Sequence, residues 1–159
     1  MSVGVGLGGI PRAPLALGLA GLLPFLAGAA NSLGLTDGLG FPAPPHPFSI
    51  LGEGPALLIA YATVILSFMS GILWGFATRS TRPAFYVLSV VPALWAFFTL
   101  GDPQDQLIRF MVGFLMLSLV EQLYIKAGLT PDWWQPLRAT LTIVVLICLY
   151  CGTFAAAPA

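Results

Sequence analysis

The sequence predicts an all-α fold: a polytopic membrane protein whose residues 1–159 form one bundle of about five transmembrane helices. Three observations lead there. Hydrophobic residues make up 58% of the chain and charged residues only 8%, against about 25% charged in a soluble domain. Mean hydropathy is +0.94, and apolar runs of near-spanning length recur from end to end. The formal net charge of zero removes the basic footprint that a nucleic-acid partner requires. Membrane lipids are therefore the expected surroundings.

Each span has its own warrant, because helices are the single-segment solution to backbone hydrogen bonding in hydrocarbon. The first, 14–32, opens on Pro14, with Pro24 expected to kink it. Its core from Leu15 to Leu26, followed by Ala27-Gly28-Ala29, also has the form of a signal peptide with an A-x-A site. The basic residues before it reduce to Arg12, which favours a retained span. The second, 54–77, would be about 36 Å long and is expected to tilt. The third, 83–100, starts at Pro83 and should bend at Pro92. The fourth covers 104–126, and the fifth, 136–154, again begins with proline. The outer connection, 33–53, contains GFPAPPHPFSILGEG, whose prolines forbid a long helix and whose aromatic and aliphatic residues suit a membrane surface.

Charge sets the expected orientation. Arg12, Arg79, Arg82, Lys126 and Arg138 fall on one side of this threading, whereas Asp37, Glu53, Asp102 and Asp105 fall on the other. The N-terminus is thus expected in the cytoplasm (or a mitochondrial matrix) and the C-terminus outside. Arg109 is the exception, and Asp105, one turn earlier, is its expected partner.

Motifs for catalysis are scarce. GVGLGG at 4–9 matches a dinucleotide fingerprint in letters only, since neither a strand nor a soluble βαβ unit surrounds it. His46 is the sole histidine, so a metal site is not expected and bis-histidine haem ligation within the chain is excluded. Cys148 and Cys151 form a C-x-x-C near the C-terminal end of a span, where the helix dipole disfavours thiolate. Apolar filling is the expected role, with a disulfide as the alternative. No cofactor and no enzymatic activity are expected.

Two features suggest interaction instead. Thr63, Ser67, Gly71 and Gly75 repeat every four residues, a helix-packing interface of small side chains that lets another backbone approach closely. That neighbour could belong to this bundle, to a second copy or to another protein. The other feature is Glu121 inside FMVGFLMLSLVEQLYIKAG. With the span ending near Lys126, its carboxylate lies about 7 Å below the boundary, within reach of headgroups by snorkelling. Lys126, Arg138, Arg79 and Arg82 are its possible counter-charges and, with Glu121, form a candidate interfacial charge or lipid-headgroup cluster. Arg109 is about 18 Å distant along the axis and is excluded. Structural pairing is expected rather than an ion pathway.

Several stretches carry a family resemblance: LGLAGLLPFLAGA (17–29), YATVILSFMSGILWGFA (61–77) and WWQPLRATLTIVVLICL (133–149). The most specific parts are S-F-x-x-G-x-x-W-G (Ser67, Phe68, Gly71, Trp74, Gly75) and W-x-x-x-L-R-x-x-L-T (Trp133, Leu137, Arg138, Leu141, Thr142). Ser70 stands where the pattern has another glycine. Together these resemble the domain of unknown function 3429 family, the transmembrane protein 69-like multispan proteins. The resemblance implies a bacterial inner membrane or a mitochondrial inner membrane, and it implies no reaction. The leading expectation is a non-catalytic accessory or assembly subunit packed against a larger energy-transducing inner-membrane complex, respiratory or photosynthetic. The alternative is a small transporter or lipid- or amphiphile-handling protein, with Arg138 and Glu121 at the ligand.

Overall fold

The computed structural model describes residues 9–36 and 53–155. Most of the glycine-rich leader, most of the Pro-rich connection and His46 lie outside the described residues. Six helices follow in order: α1 (Arg12–Ala20), α2 (Leu23–Ser32), α3 (Gly54–Ala77), α4 (Pro83–Phe98), α5 (Pro103–Lys126) and α6 (Trp134–Ala155). Among the described residues, four stretches are long and apolar enough to cross a membrane: Arg12–Ser32, Gly54–Ala77, Pro103–Lys126 and Trp134–Ala155. The fifth apolar helix, Pro83–Phe98, is shorter, and the architecture is that of a polytopic helical membrane protein.

Proline sets most helix starts. Pro24, Pro55, Pro83 and Pro103 occupy the first or second position of their helices, where the missing N–H would have lacked an intrahelical acceptor anyway. In the first apolar stretch this produces a break rather than the expected kink at Pro24. α1 ends at Ala20, the Gly21 N–H reaches the Leu17 carbonyl at 2.9 Å, and the Leu22 N–H tightens onto Leu19 at 3.1 Å. α2 then starts at Leu23, because Pro24 cannot continue the α1 ladder. α6 begins two residues before Pro136, at Trp134, whose N–H bonds the Pro131 carbonyl.

α4 stops short of the expected residue 100. Its 16 residues rise about 24 Å, less than a hydrocarbon core of roughly 30 Å. The Thr99 hydroxyl turns back to the Trp95 carbonyl at 2.7 Å. Gly101 then takes φ +128°, which reverses the chain into Pro103. α4 passes through Pro92 without interruption. Pro92 faces α3 beside Ser89, and the Ser70 hydroxyl of α3 donates to the Ser89 carbonyl.

α3 is the central helix, packing against α2, α4, α5 and α6. Its inward face repeats Leu58, Ala62, Leu66, Met69, Leu73 and Ala77, a three- and four-residue spacing that makes one stripe on a helix. α5 answers with Leu107, Phe110, Phe114, Leu117, Glu121 and Tyr124, all buried and spaced three, four, three, four, three. Close approach depends on single glycines. A Cβ at Gly28 would meet Leu58 Cγ at 2.7 Å, at Gly113 the Trp95 ring at 2.7 Å, and at Gly152 Leu58 Cδ1 at 2.5 Å.

α5 ends in a Schellman motif. Gly128 takes φ +68°, its N–H bonds the Ile125 carbonyl, and the Leu129 N–H bonds the Tyr124 carbonyl, each at 3.0 Å. Left-handed backbone favours glycine there. The motif buries Leu129 and offers its carbonyl to Arg79 Nη1 at 3.1 Å. The α3–α4 and α5–α6 connections therefore share one end of the bundle.

Candidate functional site: a buried ion pair beside an apolar cleft

Glu121 occupies a position of the inward stripe of α5, so its carboxylate is directed into the protein. Only 3% of the side chain is exposed. Of the four cations available by sequence, Arg138 on α6 is its partner, with Nε donating to Oε1 at 2.8 Å and 11% of the arginine side chain exposed. The carboxylate makes this interhelical pair in place of snorkelling, because rotation of α5 places residue 121 on the same face as Leu117 and Tyr124. A buried pair stands only when the two charges are closely matched.

The remaining cations do not join it. Arg79 reaches the Leu129 carbonyl, while Arg82 and Lys126 are exposed near the same end. Arg109 meets Asp105 at 3.9 Å and also donates to the Leu100 carbonyl at 2.6 Å. The charge cluster is therefore one buried pair with exposed cations around it.

Arg138 of this pair lines a cleft of about 600 Å³ between the α1–α2 break, α3 and α6. Leu17, Phe25, Tyr61, Phe68 and Leu141 are among its apolar and aromatic walls. The rim residues Leu17 and Phe68 are 74% and 61% exposed, so the cleft opens sideways. Gly18 and Gly21 line the opposite wall, and the helix break makes room there. The α6 wall is different: Trp134, Arg138 and Thr142 also line the cleft, and four-residue spacing puts them in one row. Among the described residues, Trp134 Nε1, Arg138 Nη2 and Thr142 Oγ1 are buried polar atoms without a hydrogen-bond partner. Trp134 lies beside Glu121 but does not close a hydrogen bond to it. The cleft is thus amphipathic, with a polar strip on one wall.

The small-residue stripe is elsewhere. Gly71 and Gly75 face outward, and a Cβ at either would meet nothing within 4 Å. The Thr63 and Ser67 hydroxyls are satisfied within α3, by the Ile59 carbonyl at 2.9 Å and the Thr63 carbonyl at 2.8 Å. Among the described residues, Gly71 and Gly75 therefore do not serve as a packing seam. Gly28, Gly54, Gly113 and Gly152, outside the G-x-x-x-G pattern, do so instead. Cys148 and Cys151 are both free, Cys148 in the core and Cys151 half-buried.

Sequence reasoning missed the cleft and the Tyr124 contact to α4. The cleft had a partial signal in the 134, 138, 142 spacing; the break that opens it had one in Gly18, Gly21 and Pro24.

Comparison with known proteins agrees with a membrane-spanning chain. Transmembrane protein 69 of Xenopus tropicalis is 34% identical over 146 residues, which cover 87% of this chain and 53% of that protein. The chain spans about half the length of that relative. No solved structure matches. The family described as "Protein of unknown function (DUF3429)" matches residues 10–154, including the α6 strip and the α3 stripe. The chain belongs to the DUF3429 family and is a multi-pass membrane protein.

Proposed function

We propose that this protein is a non-catalytic accessory or assembly subunit that docks on a larger integral complex of an energy-transducing inner membrane, through the outward face of α3. The observation that carries this reading is the open space beside Gly71 and Gly75. Glycine within a helix costs about 1 kcal/mol relative to alanine, and no neighbour among the described residues uses the clearance it creates. Together with the internally bonded Thr63 and Ser67 hydroxyls, it leaves a flat strip about 18 Å long. Such strips favour close helix–helix approach in lipid.

The orientation proposed with it places the N-terminus, the 78–82 connection and the 127–133 connection on the cytoplasmic or matrix side. The Arg79–Leu129 contact that joins the last two supports their sharing a side. The membrane proposed is the bacterial inner membrane, or the mitochondrial inner membrane in a eukaryote.

The test is a Gly71→Leu, Gly75→Leu double substitution in the native host, followed by solubilisation in mild detergent and native electrophoresis. The wild-type chain should migrate with a large complex, and the double variant should migrate free while melting at the wild-type temperature. A wild-type chain that runs free, or a variant that remains in the complex, refutes the reading.

A further inference from the structure

We propose that the cleft between the α1–α2 break, α3 and α6 is a binding site for an uncharged, carbonyl-bearing amphiphile, whose carbonyl oxygen accepts hydrogen bonds from Arg138 Nη2 and the Thr142 hydroxyl. This site is independent of the docking face on α3. Its volume of about 600 Å³ falls within the roughly 300–1,000 Å³ of small-ligand sites. Its walls suit an alkyl or isoprenoid chain entering past Leu17 and Phe68.

The polar strip specifies the head. A buried donor without an acceptor costs free energy, and native interiors leave few of them. Here Arg138 Nη2 and Thr142 Oγ1, one helical turn apart on the same wall, both lack a partner. Thr142 is only 7% exposed. It also makes no bond to the carbonyl four residues back, unlike Thr140, which bonds Pro136 at 3.1 Å. One oxygen placed between the two groups would satisfy both.

Charge decides between an anionic and a neutral head. Arg138 already gives its Nε to the Glu121 carboxylate at 2.8 Å, and the pair is formally neutral. A carboxylate or phosphate would bring a second negative charge to the same guanidinium, inside a low-dielectric wall where repulsion is strong. A carbonyl supplies the lone pairs without the charge. Ester carbonyls of glycerolipids and ring carbonyls of quinones share this chemistry.

The experiment uses the full chain in nanodiscs of diether phosphatidylcholine, whose tails carry no ester. Quenching of Trp133 and Trp134, both at the cleft, is titrated with decylubiquinone, with dibromostearoyl monoglyceride, and with dibromostearate at pH 8. Saturable quenching by the quinone, the monoglyceride or both, at lower mole fraction than by dibromostearate, is expected. Whichever saturates identifies the source of the carbonyl. Thr142→Val removes one donor to the ligand carbonyl and should weaken the saturable phase by about fivefold, while the ligand-free variant melts no lower than wild type. Val64→Phe, at the exposed rim, should abolish that phase without touching the polar strip. Tighter saturation by dibromostearate overturns the uncharged head. Quenching that rises linearly for all three probes, or is unchanged in both variants, overturns the site.

Discussion

The Tyr124 hydroxyl on α5 donates to the carbonyl of Phe85 in the first turn of α4 at 2.5 Å, and the two rings pack edge to face with centroids 4.8 Å apart. This contact ties the 16-residue α4 to the 24-residue α5 at the basic end of the bundle. Tyr124→Phe keeps the ring contact and removes the hydroxyl. Interhelical hydrogen bonds in membranes contribute about 0.6 kcal/mol and at most about 1.7. We expect a loss in that range, measured by denaturation in detergent. Tyr124→Ala should lose several times more, because it also empties a core position.

The Glu121–Arg138 pair predicts strong coupling. Removing either partner strands the other charge, at a cost of about 3–5 kcal/mol. Arg138→Met and Glu121→Gln should each be destabilising, with Arg138→Met the worse because it leaves a buried carboxylate. The double variant should recover most of the loss. A double-mutant cycle on unfolding free energies provides the coupling, and additive losses would show that the two side chains do not interact.

Glycines on the two faces of α3 and its neighbours should respond oppositely. Gly152→Ala places a Cβ at 2.5 Å from Leu58 Cδ1, so overpacking should cost about 1–3 kcal/mol. Gly71→Ala meets nothing within 4 Å and should be neutral or stabilising by up to about 1 kcal/mol in the isolated protein. Thermal melts of both variants in the same detergent compare them directly.

Topology can be checked by cysteine labelling in a Cys148→Ala, Cys151→Ala background. Ser80→Cys and Thr130→Cys should react with an impermeant maleimide from the same side of sealed vesicles, since Arg79 bonds the Leu129 carbonyl between these connections. Asp102→Cys, in the α4–α5 connection, should react from the opposite side. Labelling of all three from one side would place both ends of α4 in one compartment.

Part of the site is legible in the sequence. Leu107, Phe110, Phe114, Leu117 and Tyr124 already mark an inward stripe by spacing, and Glu121 completes it. That pattern predicts an inward carboxylate, whereas depth along the helix alone suggests snorkelling. The Schellman stop at Gly128 was likewise legible from a lone glycine between the span ending at Lys126 and the WWQP start. The partner of Glu121 was not legible, because four cations lay near the same level and only the rotation of α6 singles out Arg138. Similarly, G-x-x-x-G names a strip fit for packing without naming which side of α3 it occupies.

By itself the sequence determined the class, the apolar helices and the positions of most of their starts. Those properties sum along the chain: hydropathy over some 20 residues decides whether a segment suits lipid, and proline acts through its own ring. The tertiary structure alone decided which glycines meet a neighbour, which arginine answers Glu121 and where the cleft opens. In helices apolar on nearly every side, no polar face reports which way each is turned. Rotation about the axes is settled instead by close packing, as at Gly28, Gly113 and Gly152, and by a few polar contacts such as Ser70 to Ser89 and Tyr124 to Phe85.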